Sequence, residues 1–457
     1  MYSIHTFLLQ KELFRSPEPV KTTVVSSFTD TPALQQIARQ ADSDYILFYT
    51  GTSPIELHPY AIGRMYQIAE SNDGALFYSD YQEIRQGKKI HHPTLEYQTG
   101  SIRNDFDFGQ LLLFRNDSFQ QVVAQMNTDY RFAALYELRL SISRLGKIVH
   151  IPETLYTVQP TDLRLSGEKQ FDYVDPANRE VQLEMEAVCT AHLQAIGAWL
   201  APEFQRIDFG QENFAREASV IIPVRNRKRT IAEAVESALQ QQTDFSFNVI
   251  VVDNHSTDGT GQILTELSRR SPNLIHHIPA STELGIGGCW TEAILLPECG
   301  KFAIQLDSDD LYKDCHVLQR IVDTFYQENC AMVIGSYQMV DFKLEEIPPG
   351  LIAHREWTPD NGRNNALRIN GLGAPRAFYT PVLRQIKFPN VSYGEDYATA
   401  LAISRKYPIA RIYDPLYLCR RWEENSDHDL DIQQLNNYNF YKDKIRTLEI
   451  QARISGK

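Results

Sequence analysis

Three carboxylates close together, in LDSDDLY at residues 306 to 312, are the residues of this chain best suited to chemistry. They follow a hydrophobic run, KFAIQLD, that reads as a buried strand, so Asp307, Asp309 and Asp310 sit at a strand end. Like charges this close repel unless a cation neutralises them, and oxygen-only donors suit magnesium or manganese. If the strand continues, Asp307 and Asp309 point to one side and can address one metal and one ligand. A solvated turn, or a helix cap at Asp310, would satisfy the same string. A second acidic pair, Glu395 and Asp396 in GEDYATALAISR, opens a predicted helix. A carboxylate there can take a proton from an attacking hydroxyl, or merely favour the helix dipole.

The elements that must position these groups alternate. ASVIIPV (218–224), a helical TIAEAVESALQQQ and FNVIVVD (247–253) read as a β-α-β unit; the helix GQILTELSRR, the strand NLIHHIPA and KFAIQLD continue it. Such alternation builds a sheet with ligands at the carboxyl ends of its strands. The basic run RNRKR (225–229) follows the first strand and fits a small phosphate ligand better than a duplex, with a solvated turn as the plain alternative.

Four strings in order, ASVIIPVRNRKRTIAEAVESALQQQ, VIVVDNHSTDGT, LDSDDLY and GEDYATA, closely resemble glycosyltransferase family 2. The resemblance implies an α/β GT-A fold, a mixed and mainly parallel sheet flanked by helices. It also implies a nucleotide-diphosphate sugar donor, inversion at the anomeric carbon and a divalent cation, Mn2+ or Mg2+. Carried over, Pro223, Arg225 and Asn226 lie beside the nucleotide and Asp253 accepts hydrogen bonds from the base. Asp307 faces the ribose or metal, Ser308 lies with the donor, and Asp309 ligates the metal. Asp396 becomes the base that activates the acceptor, with Glu395 orienting the acceptor or the metal shell. In NGLGAPRAFYT the resemblance puts Gly373, Ala374 and Arg376 under the donor sugar, where an ordinary turn would read the same. The sequence departs from the pattern at Arg225, where an aromatic is common, and at Asn254 and His255, which replace an acidic-glycine pair. Arg421 and Trp422 resemble the end of the QxxRW string of processive synthases, an acceptor platform, but Leu418 stands at the glutamine position. His428 is a candidate for the metal or diphosphate, against the reading of a surface histidine.

The chain also resembles itself. IVHIPETLYTV (148–158) lines up with IARIYDPLYLC (409–419), DYILFYTGTSP (44–54) with KFAIQLDSDDL (301–311), and DYQ (80–82) with SYQ (336–338). Asp307 and Asp309 then fall on Thr50 and Thr52, and Glu395 and Asp396 on Ala134 and Leu135. Strands of this type look alike, so chance similarity between two α/β segments is the plain alternative; the expected organisation is a truncated, non-catalytic GT-A-like domain over 1–160, a helical linker over 161–216, the catalytic domain over 217–429 and a helical tail over 430–457. The copy is expected to begin near Lys21, with one strand before DYILFYT.

Composition bounds the partners. With 45 Lys+Arg against 58 Asp+Glu the net charge is -13, which disfavours nucleic acid. Six cysteines without a CxxC pair argue against zinc knuckles and disulfides. No run is long and apolar enough for a membrane span, and no signal peptide is read at the N-terminus, so the expected location is cytoplasmic, compatible with peripheral association at a membrane. The expected partners are the sugar donor and a glycan or lipid-linked acceptor in polysaccharide biosynthesis; a homodimer is compatible. The competing reading is a catalytically silent sugar-nucleotide-binding or scaffold protein. A pyrophosphorylase would need a Gly-rich phosphate loop that IIPVRNRKRT lacks, and a DxD phosphatase would need Thr or Val where Leu311 stands.

Overall fold

The computed structural model describes residues 2–159, 178–210, 212–422 and 430–456. It divides into two compact units, one of Met1–Trp199 with Leu430–Lys457 and the other of Leu200–Asp429. Both are α/β.

In the second unit, ASVIIPV forms the strand Ala218–Val224, buried along nearly its whole length as a parallel strand covered on both faces must be. It lies between Phe247–Asp253 and Phe302–Gln305, parallel to both, and Leu274–His277 extends the parallel part beyond Phe247–Asp253. On the other side the sheet turns mixed. Arg376–Tyr379 runs antiparallel to Phe302–Gln305 and to Met332–Val340, which is parallel to Ile409–Arg420. Leu311–Tyr312 closes that edge against Ile409–Arg420. The order is a mixed α/β sheet whose carboxyl strand ends carry Asp253 and the LDSDD string.

The first unit repeats this pairing. Ile4–Leu8 is parallel to Tyr45–Tyr49, Tyr45–Tyr49 antiparallel to Leu111–Arg115, and Gly74–Arg85 antiparallel to Leu111–Arg115 and parallel to Lys147–Val158. Even the register agrees: Leu76 pairs with Ile148 and Tyr81 with Tyr156, as Met332 pairs with Ile409 and Tyr337 with Tyr417. The same irregularity falls before Tyr81 and before Tyr337.

Three expectations change. The first sheet begins at Ile4, not near Lys21, and two parallel strands, Ile4–Leu8 and Lys21–Val24, precede Tyr45–Tyr49. IHTFL escaped the apolar-run rule because His5 and Thr6 are polar yet buried, His5 Nε2 lying 2.8 Å from Thr23 Oγ1. The joining segment holds only a one-turn helix, Lys11–Leu13, and the two-residue strand Phe14–Arg15, where the second unit has the helix Ile231–Leu239. The helix Arg179–Ala195, expected as a connector, is part of the first unit. Val188, Cys189 and Leu193 are buried, and Glu184 accepts the backbone N–H groups of Phe132 and Ala133 at 2.8 and 3.1 Å where the helix Ala134–Leu145 begins. Residues 161–177 of that linker lie outside the described residues. The tail helix, Ile432–Ile454, also belongs to the first unit, where buried Asp443 accepts from Ser101 Oγ at 2.9 Å and Arg103 Nε at 3.2 Å. Among the described residues no helix is long and apolar enough to cross a membrane.

Candidate active site

The strand carrying the acidic string stops at Gln305, and the Asp310 N–H closes a turn on Asp307 O at 3.2 Å. Strand alternation therefore does not place Asp307 and Asp309; the turn does. Gln305 orients Asp307, its Nε2 donating to the two carboxylate oxygens at 2.9 and 3.0 Å while its Oε1 accepts the Arg376 N–H at 3.1 Å. The Asp307 N–H in turn donates to Tyr417 Oη at 2.9 Å. Burial pushes the Asp307 carboxyl above its usual range, with Asp309 adding to the rise and Arg376 opposing it. Asp310 is buried and accepts the Arg420 N–H at 2.8 Å. Burial, then the charges of Asp309 and Asp307, push it well above the carboxylate range. Asp310 precedes the strand Leu311–Tyr312 and caps no helix. Asp309 is half-buried; its Oδ2 accepts from Trp422 Nε1 at 3.1 Å and lies 3.7 Å from Arg227 Nε.

Mutual repulsion among oxygen donors is what a hard divalent cation relieves, so the donor set fits the expected metal class. Among the described residues no group of three His, Cys, Asp or Glu side chains is placed to hold a metal by itself.

The nucleotide-side residues meet at the ends of the first two strands. Asn226, at φ 54°, donates its N–H to Ser256 Oγ at 2.9 Å, and its Oδ1 accepts the Thr257 N–H at 2.8 Å. These bonds join the 225–229 loop to the 254–258 turn. Asp253 is buried; against that burial, which raises its proton affinity, His276 at 3.3 Å and the Ser256 N–H at 2.9 Å hold it below the ordinary carboxylate value. Pro223 is half-buried and Arg225 exposed. Asn254 and His255 fix the turn: the Asn254 N–H donates to Val224 O at 2.8 Å, its Nδ2 donates to Leu284 O at 2.7 Å, and His255 Nε2 lies 3.0 Å from Ser281 O.

The GED pair opens the helix Glu395–Ser404 after Gly394, which adopts φ 77°. Asp396 receives the guanidinium of Arg376. Glu395 is buried with Oε2 unpartnered, and burial followed by the neighbouring Asp396 charge pushes it up to about 8. Arg376 lies in the field of Asp396, Asp307 and Glu395 together. The two acidic groups thus converge on one arginine. Gly373, at φ 95°, could carry no side chain, since a Cβ would come 2.8 Å from His354 Cδ2; Ala374 beside it is half-buried. His354 Nδ1 lies 2.9 Å from Glu356 Oε1, both buried. Sequence reasoning did not single out Gln305, His276, His354, Glu356 or Tyr417. Only Gln305, a polar residue inside an apolar strand, carried a visible signal.

At the C-terminal edge the indole of Trp422 meets Asp309, not a free surface, and the Arg421 N–H donates to Val340 O at 2.9 Å. His428 lies outside the described residues. In the first unit, Thr50 and Thr52 stand after the strand Tyr45–Tyr49, and Ala134 and Leu135 open a helix. The loop there is tight: the Thr50 N–H donates to Gln110 O at 2.9 Å, Tyr49 Oη donates to Ser53 O, and a Cβ on Gly51 would meet Gln110 and Tyr49.

Residues 219–386 match the model of Glycosyl transferase family 2. An uncharacterized glycosyltransferase of Nostoc sp. is 32% identical over 123 residues, covering 27% of this chain and 37% of that protein. A poly(ribitol-phosphate) beta-glucosyltransferase of Bacillus spizizenii is 24% identical over 49% of this chain and 35% of its own length. This chain thus spans little more than a third of the length of either. Among solved structures, S. aureus TarS 1-349 in complex with UDP-GlcNAc is 23% identical, with a TM-score of 0.40 over 52% of this chain and 72% of that one.

Proposed function

We propose that this chain, whose residues 219–386 are a glycosyl transferase family 2 domain, moves a sugar from a nucleotide-diphosphate donor to a hydroxyl of a glycan or lipid-linked acceptor during polysaccharide biosynthesis, with inversion. The observation that carries the reading is Arg376, bonded to Asp396 and set in the field of Asp307. One arginine then links the carboxylates assigned to the leaving group and to the attacking group.

In this reading Asn226 and Asp253 receive the nucleotide, with Pro223, Arg225 and Ser308 beside it, and Gly373 and Ala374 lie under the sugar. A divalent cation held by Asp309 and Asp307 would neutralise the diphosphate as it leaves. The acceptor oxygen bonds the anomeric carbon as the bond to the diphosphate oxygen breaks, and Asp396 takes the acceptor's proton. Glu395, pushed up to about 8, stays protonated at neutral pH, so the charge of the pair resides on Asp396 and the Arg376 guanidinium fixes its position. The first unit has Thr50, Thr52, Ala134 and Leu135 at the matching positions, with no carboxylate among them, which supports a non-catalytic role for it.

A thermal-shift screen of nucleoside diphosphates and their sugars, with and without manganese, tests the reading. A ligand selective for the native state raises its melting temperature. The expected result is a rise that needs both a nucleotide sugar and the cation; no stabilisation by any member of the screen would contradict it.

A further inference from the structure

The basic run after the first strand is split in its use. Arg225 and Lys228 are exposed, whereas Arg227 is half-buried and directed at the acidic turn, its Nε 3.7 Å from Asp309 Oδ2. Trp422 Nε1 donates to that same oxygen at 3.1 Å, and the Arg227 Cζ lies 5.7 Å from the centre of the indole. Arg229 stands over the adjoining rings, its Cζ 4.3 Å from the centre of Phe342 and 5.4 Å from that of Trp422. Phe342 and Trp422 meet edge to face at 5.3 Å. A guanidinium and an indole therefore crowd the carboxylate that a metal would need, with Phe342 packed against the indole.

A guanidinium and a divalent cation repel each other and compete for one carboxylate. Whatever cation binds Asp309 must loosen Arg227. The loosened side chain is a planar fork of N–H donors of the kind that pairs with phosphate oxygens. We propose that Arg227 is an internal counter-ion, holding Asp309 until a divalent cation arrives with the donor and then pairing with the donor's diphosphate. The inference rests on the glycosyl-transfer reading of the site. It makes cation and nucleotide bind cooperatively: the cation alone must displace Arg227 without recompense, whereas the diphosphate gives Arg227 a new partner. Trp422, hydrogen-bonded to the same oxygen, reports the exchange.

Calorimetric titration of the full chain with Mn2+ alone, and with UDP or GDP in saturating Mn2+, tests this against Arg227→Gln. The variant should bind Mn2+ alone about five-fold more tightly, since a partly exposed ion pair has been removed. It should bind whichever nucleoside diphosphate the wild type prefers about ten-fold more weakly, since a charge-assisted bond has been lost. Arg227→Lys, which keeps the charge without the fork, should fall between, and it carries the test if the glutamine variant does not fold. Tryptophan fluorescence should change on Mn2+ addition in the wild type and not in Trp422→Phe. Unchanged or weaker Mn2+ binding in Arg227→Gln, with normal wild-type binding of both ligands, would overturn the counter-ion role alone. A wild type that binds neither Mn2+ nor either nucleotide would overturn the glycosyl-transfer reading and this inference with it.

Discussion

The guanidinium of Arg376 donates to the carboxylate of Asp396. The same residue's backbone N–H bonds to Gln305, whose amide grips Asp307. Two strings some ninety positions apart in the chain, LDSDD and GED, are thereby joined through two side chains, and the following expectations depend on that junction.

Asp309→Ala should abolish transfer, a loss of about a thousand-fold or more, because the leaving diphosphate loses its electrostatic partner. Thr52→Ala, at the matching place in the first unit, should leave the rate within about two-fold of the wild type. Rates from a radiolabelled or coupled donor assay check both. Equal losses, with folding intact, would end the division of labour between the units.

Asp310→Asn should behave differently from Asp309→Ala. Asp310 is buried and pushed well above the carboxylate range, and its Oδ1 accepts from the Arg420 N–H, which an asparagine carbonyl can also do. The expected cost is under about 1 kcal/mol of stability, with cation binding retained, as calorimetry and urea melts would report. Loss of cation binding in this variant would move the metal role to Asp310.

Glu395 gives a pH dependence with a definite sign. Burial, with Asp396 beside it, raises its value from 4.5 to about 8 in the folded chain. Between those values the folded state keeps a proton that the unfolded state has released, so this group's contribution is full below pH 4.5 and declines until about pH 8. Glu395→Gln should remove that decline. The difference between wild-type and variant melting temperatures should change in the variant's favour from pH 4.5 to about 8 and then level off; a constant difference across that range would contradict the raised value.

The sequence made the second unit legible because its strands are continuous apolar runs and its acidic strings stand at their ends. Ala218–Val224 and Phe247–Asp253 follow the reading closely. The duplicate in the first unit was visible from IVHIPETLYTV against IARIYDPLYLC, and the pairing of Tyr81 with Tyr156 matches that of Tyr337 with Tyr417. What could not be read depended on long-range contact. Ile4–Leu8 hides two buried polar residues, the tail helix Ile432–Ile454 finds its place through Asp443 and Arg103, and Trp422 is set on Asp309 by the return of the strand Ile409–Arg420. No local string encodes such partners: Thr23 lies 18 positions from His5, and Arg103 and Asp309 lie more than a hundred positions from Asp443 and Trp422.

The proposed transfer depends most directly on Asp396. Asp396→Asn should leave the stabilisation by nucleotide sugar and manganese unchanged, while transfer falls by about a hundred- to ten-thousand-fold, the range a positioned proton acceptor supplies. Transfer within two-fold of the wild type in that variant, with the donor bound normally, would contradict it.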